Sequence, residues 1–113
     1  MKRKKSNEPI VTLLATGAKE HGRANDLGAA VAGAIEARQM VHIQAIGPFA
    51  VNNTIKAVAI AEQMINLIDK GVKLAVRPAY LHKRIRGNDV VVIDLHCMRV
   101  DGLPQDDEGR DLY

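Results

Sequence analysis

Residues 41–70 read VHIQAIGPFAVNNTIKAVAIAEQMINLIDK, and the change of period inside this stretch decides the fold. From Val41 to Ile46 the side chains alternate, Val41, Ile43 and Ala45 facing one way and His42 and Gln44 the other, as in a sheet covered on one side only. Gly47-Pro48 turns the chain. From about Phe49 to Lys70 the period becomes 3.6 residues, and Asn52, Lys56, Gln63, Asn66 and Lys70 fall on one narrow stripe of a helix. Ile55, Ala57, Val58, Ala61, Ile65 and Ile68 are expected to cover the sheet, whereas Phe49, Ile60 and Leu67 fall towards another side. A helix that is apolar over most of its circumference needs a second cover. The expected cover is another copy of the chain, most simply in a two-fold dimer.

On the N-terminal side, Ile10 to Ala15 reads as a strand, rich in Ile, Val, Thr and Leu. A loop from Gly17 to Asn25 follows, carrying Lys19, His21 and Arg23. A helix then runs to about Gln39, with Asn25 or Asp26 as N-cap and Leu27, Val31, Ala34 and Ile35 as its buried face. Gly28 and Gly33 each cost about 1 kcal/mol relative to Ala inside a helix, so a packing reason is expected for both. On the C-terminal side, Gly71 reads as the C′ residue of the second helix. Strands follow at 72–77, with Val72, Leu74 and Val76 inward, and at 90–98, with Val91, Ile93, Leu95 and Cys97 on one face. Residues 81–88 form the arm of a hairpin that turns at Gly87-Asn88. The order is βαβαββ, one α/β or α+β domain over residues 10–100.

The flanks differ in charge from this body. Residues 1–9 carry four basic groups against Glu8 and read as a disordered leader, while 101–113 carry five acids against Arg110 and read as an acidic tail. The net charge of the chain is +3, so the basic body suits a polyanion, and the tail is either a competitor for the same surface or a solubilising segment. With no Trp and one Phe, binding of single strands by rows of stacked rings is not expected. One cysteine, Cys97, allows no intrachain disulfide and suits a reducing compartment. No apolar run approaches a membrane span or a secretory signal, so the expected location is the cytoplasm, nucleoid included, with no membrane partner.

Six basic residues and no acid lie between Lys70 and Arg86: Lys70, Lys73, Arg77, Lys83, Arg84 and Arg86. On a projecting hairpin such charges reach phosphates and gain free energy by counterion release, or they keep a sheet edge from pairing with another chain. Lys19 and Arg23 stand at the positive end of the first helix, without the Gly-Lys-Ser/Thr ending of a P-loop. Asn52, Asn53 and Lys56 stand near the second helix N-terminus, where they contact phosphate, cap the helix or bond across a dimer. His96 and Cys97 are neighbours on a strand and point to opposite faces, and no ligand pair has a zinc-finger spacing, so no metal and no cofactor are expected. Asp94 is expected to pair with Lys73 or Arg77. With no nucleophile, ligand set or carboxylate pair, an enzyme is not expected.

Gln44-Ala45-Ile46-Gly47 followed by Asn52 and Ile55-Lys56-Ala57-Val58-Ala59-Ile60-Ala61 resembles the stage V sporulation protein S family, over about Val11 to Val100. That family is similar in fold to Alba, the archaeal chromatin protein. The resemblance implies an α+β two-layer sandwich, a four-stranded sheet with two helices on one face, working as a dimer. It implies a nucleic-acid surface at Lys19 and Arg23, at Asn52, Asn53 and Lys56, and at Lys83, Arg84 and Arg86, to which the basic run adds Arg77. Where Alba proteins carry basic residues beside the second-loop glycine this chain has Ile46, Pro48 and Phe49, and Asn53 replaces a lysine. The leading expectation is a dimeric DNA- or RNA-binding developmental regulator with Phe49, Ile60 and Leu67 at the dimer contact. The alternative is a non-enzymatic oligomeric scaffold or protein-interaction module.

Overall fold

The computed structural model describes residues 10–15 and 23–100. The elements are β1 (Ile10–Ala15), α1 (Arg23–Glu36), β2 (Met40–Ala45), α2 (Pro48–Asn66), β3 (Lys73–Ile85) and β4 (Asn88–Val100), the expected βαβαββ order. They make one four-stranded sheet in the order β1-β2-β4-β3. β1 runs parallel to β2, and β4 is antiparallel to both β2 and β3. The sheet is mixed and the fold is α+β, consistent with the Alba-like sandwich.

Both helices bury their apolar stripes against the same face of the sheet. Val31, Ala34 and Ile35 of α1 meet Val41, Ile43 and Ala45 of β2, Leu95 and Cys97 of β4, and Ala50, Val58, Ala61 and Ile65 of α2 in one aliphatic core. The alternation in β2 is therefore as expected, with Val41, Ile43 and Ala45 buried and His42 and Gln44 half-buried on the other face. Two residues of α2 are not where the pattern put them. Ile55 and Ile68, expected against the sheet, are 52% and 80% exposed. Ile55 falls on the outward stripe with Asn52, Lys56, Ala59 and Gln63, and Ile68 lies beyond the helix end.

The ends of the elements are set by local hydrogen bonding. α1 begins at Arg23, so Asn25 and Asp26 lie within its first turn and cap nothing from outside; Asp26 instead puts a negative charge at the positive end of the helix dipole. It stops at Glu36 because the Gln39 amide donates to Ala34 and the Arg38 amide to Ile35. These two bonds make a Schellman closure with Arg38 in the left-handed position at φ 59°. α2 starts at Pro48, whose missing N–H costs nothing in a first turn, behind Gly47 at φ 86°. It ends at Asn66, four residues before the expected Lys70. The Asn66 side chain closes the following turn, accepting from the Gly71 and Val72 amides and donating to the Glu62 and Val72 carbonyls. Thr54, a fully buried polar residue, donates to the Ala50 carbonyl at 2.9 Å.

The two helical glycines have different standing. A Cβ on Gly28 would lie 2.8 Å from Ile60 Cγ2 and 3.0 Å from the Ala57 carbonyl oxygen, so α1 can approach α2 only where there is no side chain. Around Gly33 there is open space. Gly28→Ala is expected to lower unfolding stability by about 1–3 kcal/mol through overpacking. Gly33→Ala should raise it by roughly 0.5–1 kcal/mol through helix propensity, opposite shifts that urea titrations of the two variants will read.

Candidate functional site

The sheet topology brings three chain segments to one end. β1 and β2 are parallel, so their C-terminal ends, Ala15 and Ala45, lie side by side, and α2 starts three residues beyond Ala45. β4 pairs with β2 only as far as the Ala45 to Ile93 position. Beyond it, residues 88–92 pair with residues 81–85 alone, so a two-stranded ribbon passes the end of the sheet by roughly 17 Å at about 3.4 Å per residue. β3 is thus far longer than the expected 72–77, and the hairpin arm is continuous strand. The ribbon turns at Arg86-Gly87, one residue before the expected Gly87-Asn88. Ile85 pairs with Asn88, and both loop residues have positive φ, 52° and 79°, the type I′ geometry that matches strand twist.

The basic residues surround the ribbon and do not share one face. Lys83 lies opposite Val90 on the sheet face away from the helices, where its ammonium donates to Gln44 Oε1. Arg84 points to the other side and meets Asp89 at 3.2 Å, an exposed pair worth little to stability. Arg86 is at the tip. Arg77, opposite His96, is exposed on the helix-free face well below the tip. Asn52 and Lys56 are exposed on the outer side of α2, and Asn53 is half-buried. Because Gly47 and Pro48 start α2, none of Asn52, Asn53 and Lys56 caps it. Lys19 lies outside the described residues, as does the leader and the acidic tail. Arg23 opens α1.

The residues expected at a subunit contact are separated. Phe49 is 53% exposed and Leu67 83%, at opposite ends of α2, about 27 Å apart along the axis. Ile60 is half-buried and packs against Gly28 of α1, so its contact lies within the chain. Tyr80, opposite Ile93, and Val91 are also exposed, on the helix-bearing face of the sheet where the β3–β4 pair runs past its end.

The helix-free face holds a polar cluster that sequence spacing did not reveal. Asp94 meets neither Lys73 nor Arg77, since β-pairing puts Ala79 opposite it, Lys73 opposite Val100 and Arg77 opposite His96. Its partners are histidines: Oδ2 accepts from His96 Nε2 at 3.0 Å and lies 3.5 Å from His42 Nδ1. His42 and His96 are directly opposed on β2 and β4, and their rings stack with centroids 3.9 Å apart. Cys97, one residue on, points into the core as expected. Burial pushes its thiol up to about 11, with the charge of Glu62 adding to the shift.

The family model described as Stage V sporulation protein S (SpoVS) matches residues 13–99, well over half of the chain. The chain belongs to the SpoVS family. It is therefore a member of a sporulation-related family, and the match runs from within β1 to the penultimate residue of β4. No helix among the described residues is long and apolar enough to cross a membrane.

The raised Cys97 thiol stays protonated through neutral pH, and only its thiolate is a nucleophile. Iodoacetamide at pH 8 should therefore leave the folded chain unmodified and label it rapidly in urea. Since the ordinary thiol value of 9.0 lies below the folded one, the linked stability is present below pH 9 and lost as pH rises towards 11. Urea midpoints measured across that range should fall, and fall less in Cys97→Ala.

Proposed function

We propose that this SpoVS-family chain is a non-enzymatic, dimeric protein that binds DNA or RNA through phosphate contacts, as a regulator in sporulation or development. The observation that carries this reading is the charged ribbon, with Lys83 on one side, Arg84 on the other and Arg86 at the tip, standing free of the sheet at the end where α1 and α2 begin. A narrow ribbon ringed by cations can enter a groove and meet phosphates on both walls, which a flat basic face cannot do. Lys56 and Asn52 lie on the first turns of α2 at the same end, and Arg23 opens α1 there. Contacts of this kind position the protein without reading base edges, so weak sequence preference is expected.

Dimerisation is supported by exposed large apolar side chains, Phe49, Ile55 and Leu67 along α2 and its end, and Tyr80 and Val91 on the β3–β4 pair. The same surface favours a second reading, a scaffold that assembles through apolar contacts and uses its cations on an acidic protein. The two readings part on polyanion. A scaffold forms its assemblies without nucleic acid and does not respond when nucleic acid is added.

Fluorescence anisotropy with labelled duplex DNA, single-stranded DNA and RNA of equal length, across a salt series, tests the proposal. Replacing Lys83, Arg84 and Arg86 with Ala should weaken binding and reduce the slope of log K against log salt by about 2–3. An unchanged slope removes the ribbon from the site, and no binding to any polymer at low salt favours the scaffold.

A further inference from the structure

The geometry points to a binding site for a divalent transition-metal ion, zinc foremost, on the helix-free face of the sheet, with His42, Asp94 and His96 as its ligands. The three donor atoms all lie within 4.8 Å of one another. They come from the two central strands: His42 and His96 are cross-strand partners on β2 and β4, and Asp94 is two residues from His96 on the same face. Paired strands hold these backbones more rigidly than a loop would, which suits a site whose ligands must keep their spacing.

Asp94 supplies a second, independent observation. Its side chain is only 13% exposed, and Oδ1 is buried with no hydrogen-bond partner. A buried carboxylate oxygen left unpaired is costly, and a cation beside the carboxylate removes that cost. Two imidazoles and one carboxylate form a donor set for zinc, cobalt, nickel or ferrous iron, and a poor one for magnesium or calcium, which take oxygen ligands. Three protein ligands leave a coordination position for water, the arrangement of open rather than closed zinc sites. A hollow of about 660 Å³, bordered by Met40, Met98, Arg38 and Arg99, reaches both histidines and gives an ion its way in.

Binding requires one local movement. An imidazole lone pair lies in the ring plane, and the planes of His42 and His96 are only 25° from parallel, so the stacked rings do not aim at a common point. His42, whose contact with Asp94 is the longer at 3.5 Å, turns about its ring torsion to face the ion, and the stack opens. His96 keeps its orientation. The ion then bridges β2 to β4, joining side chains that come from opposite halves of the chain. Arg77, exposed opposite His96, sets a positive charge near the site and limits its affinity.

Isothermal titration of the full chain, first treated with chelator, with Zn²⁺ and then Mg²⁺ tests the site. The expected result is about one equivalent of Zn²⁺ bound per chain and no response to Mg²⁺. His42→Gln, Asp94→Asn and His96→Gln should each weaken Zn²⁺ binding by roughly tenfold or more, while His82→Ala, on the ribbon, leaves it unchanged. Circular dichroism checks that each variant is folded. Should one not fold, the histidine ring resonances of the unmodified chain decide: Zn²⁺ must shift those of His42 and His96 and leave those of His82 in place. Absence of Zn²⁺ binding overturns the proposal, as does binding that survives the loss of Asp94 or His96 and so belongs to acids elsewhere in the chain.

Discussion

The close approach of α1 to α2 at Gly28 governs the arrangement of everything else. Only because the Ala57 carbonyl and Ile60 can press against a residue without a side chain do two helices fit together over one face of a four-stranded sheet. That single-sided covering gives the sheet two unlike faces. One is aliphatic and closed, with Ile43 and Ala45 fully buried. The other carries no helix, and on it the His42-Asp94-His96 cluster lies across the two central strands. The short helices also fail to cover the outer half of the β3–β4 pair, so the ribbon stands in solvent carrying its cations.

The element order was legible in the chain because each element is written in its own period: strict alternation from Val41 to Ala45, then the 3.6-residue recurrence through Val58, Ala61 and Ile65. The boundaries were harder, for a physical reason in each case. Arg38 takes a left-handed conformation that sequence rules reserve for glycine or asparagine, so α1 stops short of Gln39. Asn66 looked like one more member of a solvated stripe, yet its side chain binds four backbone groups and ends α2. The extent of β3 was hidden by Pro78, which lacks an amide donor but is tolerated because β3 is an edge strand.

Less of the candidate site was legible. Positive charge between Lys70 and Arg86 is plain in the sequence, but its placement around a ribbon depends on the register of β3 with β4. The pairing of His42 with His96 spans more than fifty residues and follows only from the register of β2 with β4. No spacing rule finds such a pair, because zinc-motif rules describe ligands carried on one local turn. The basic edge also has a second physical effect. Lys73, Arg77 and Lys83, together with Pro78, discourage another strand from adding to β3, so the same charges that suit a polyanion keep the sheet from growing.

The sheet order carries a consequence for how the chain is made. β4 is the last strand in sequence but lies between β2 and β3, and it alone connects them. Until its residues leave the ribosome the nascent chain has β1 and β2 on one side and an unpaired β3 on the other, with no ladder between. Domains fold as units during synthesis, and here the unit is closed by its final segment. The sheet is sealed from the middle, late, by the strand that also supplies Leu95 and Cys97 to the core.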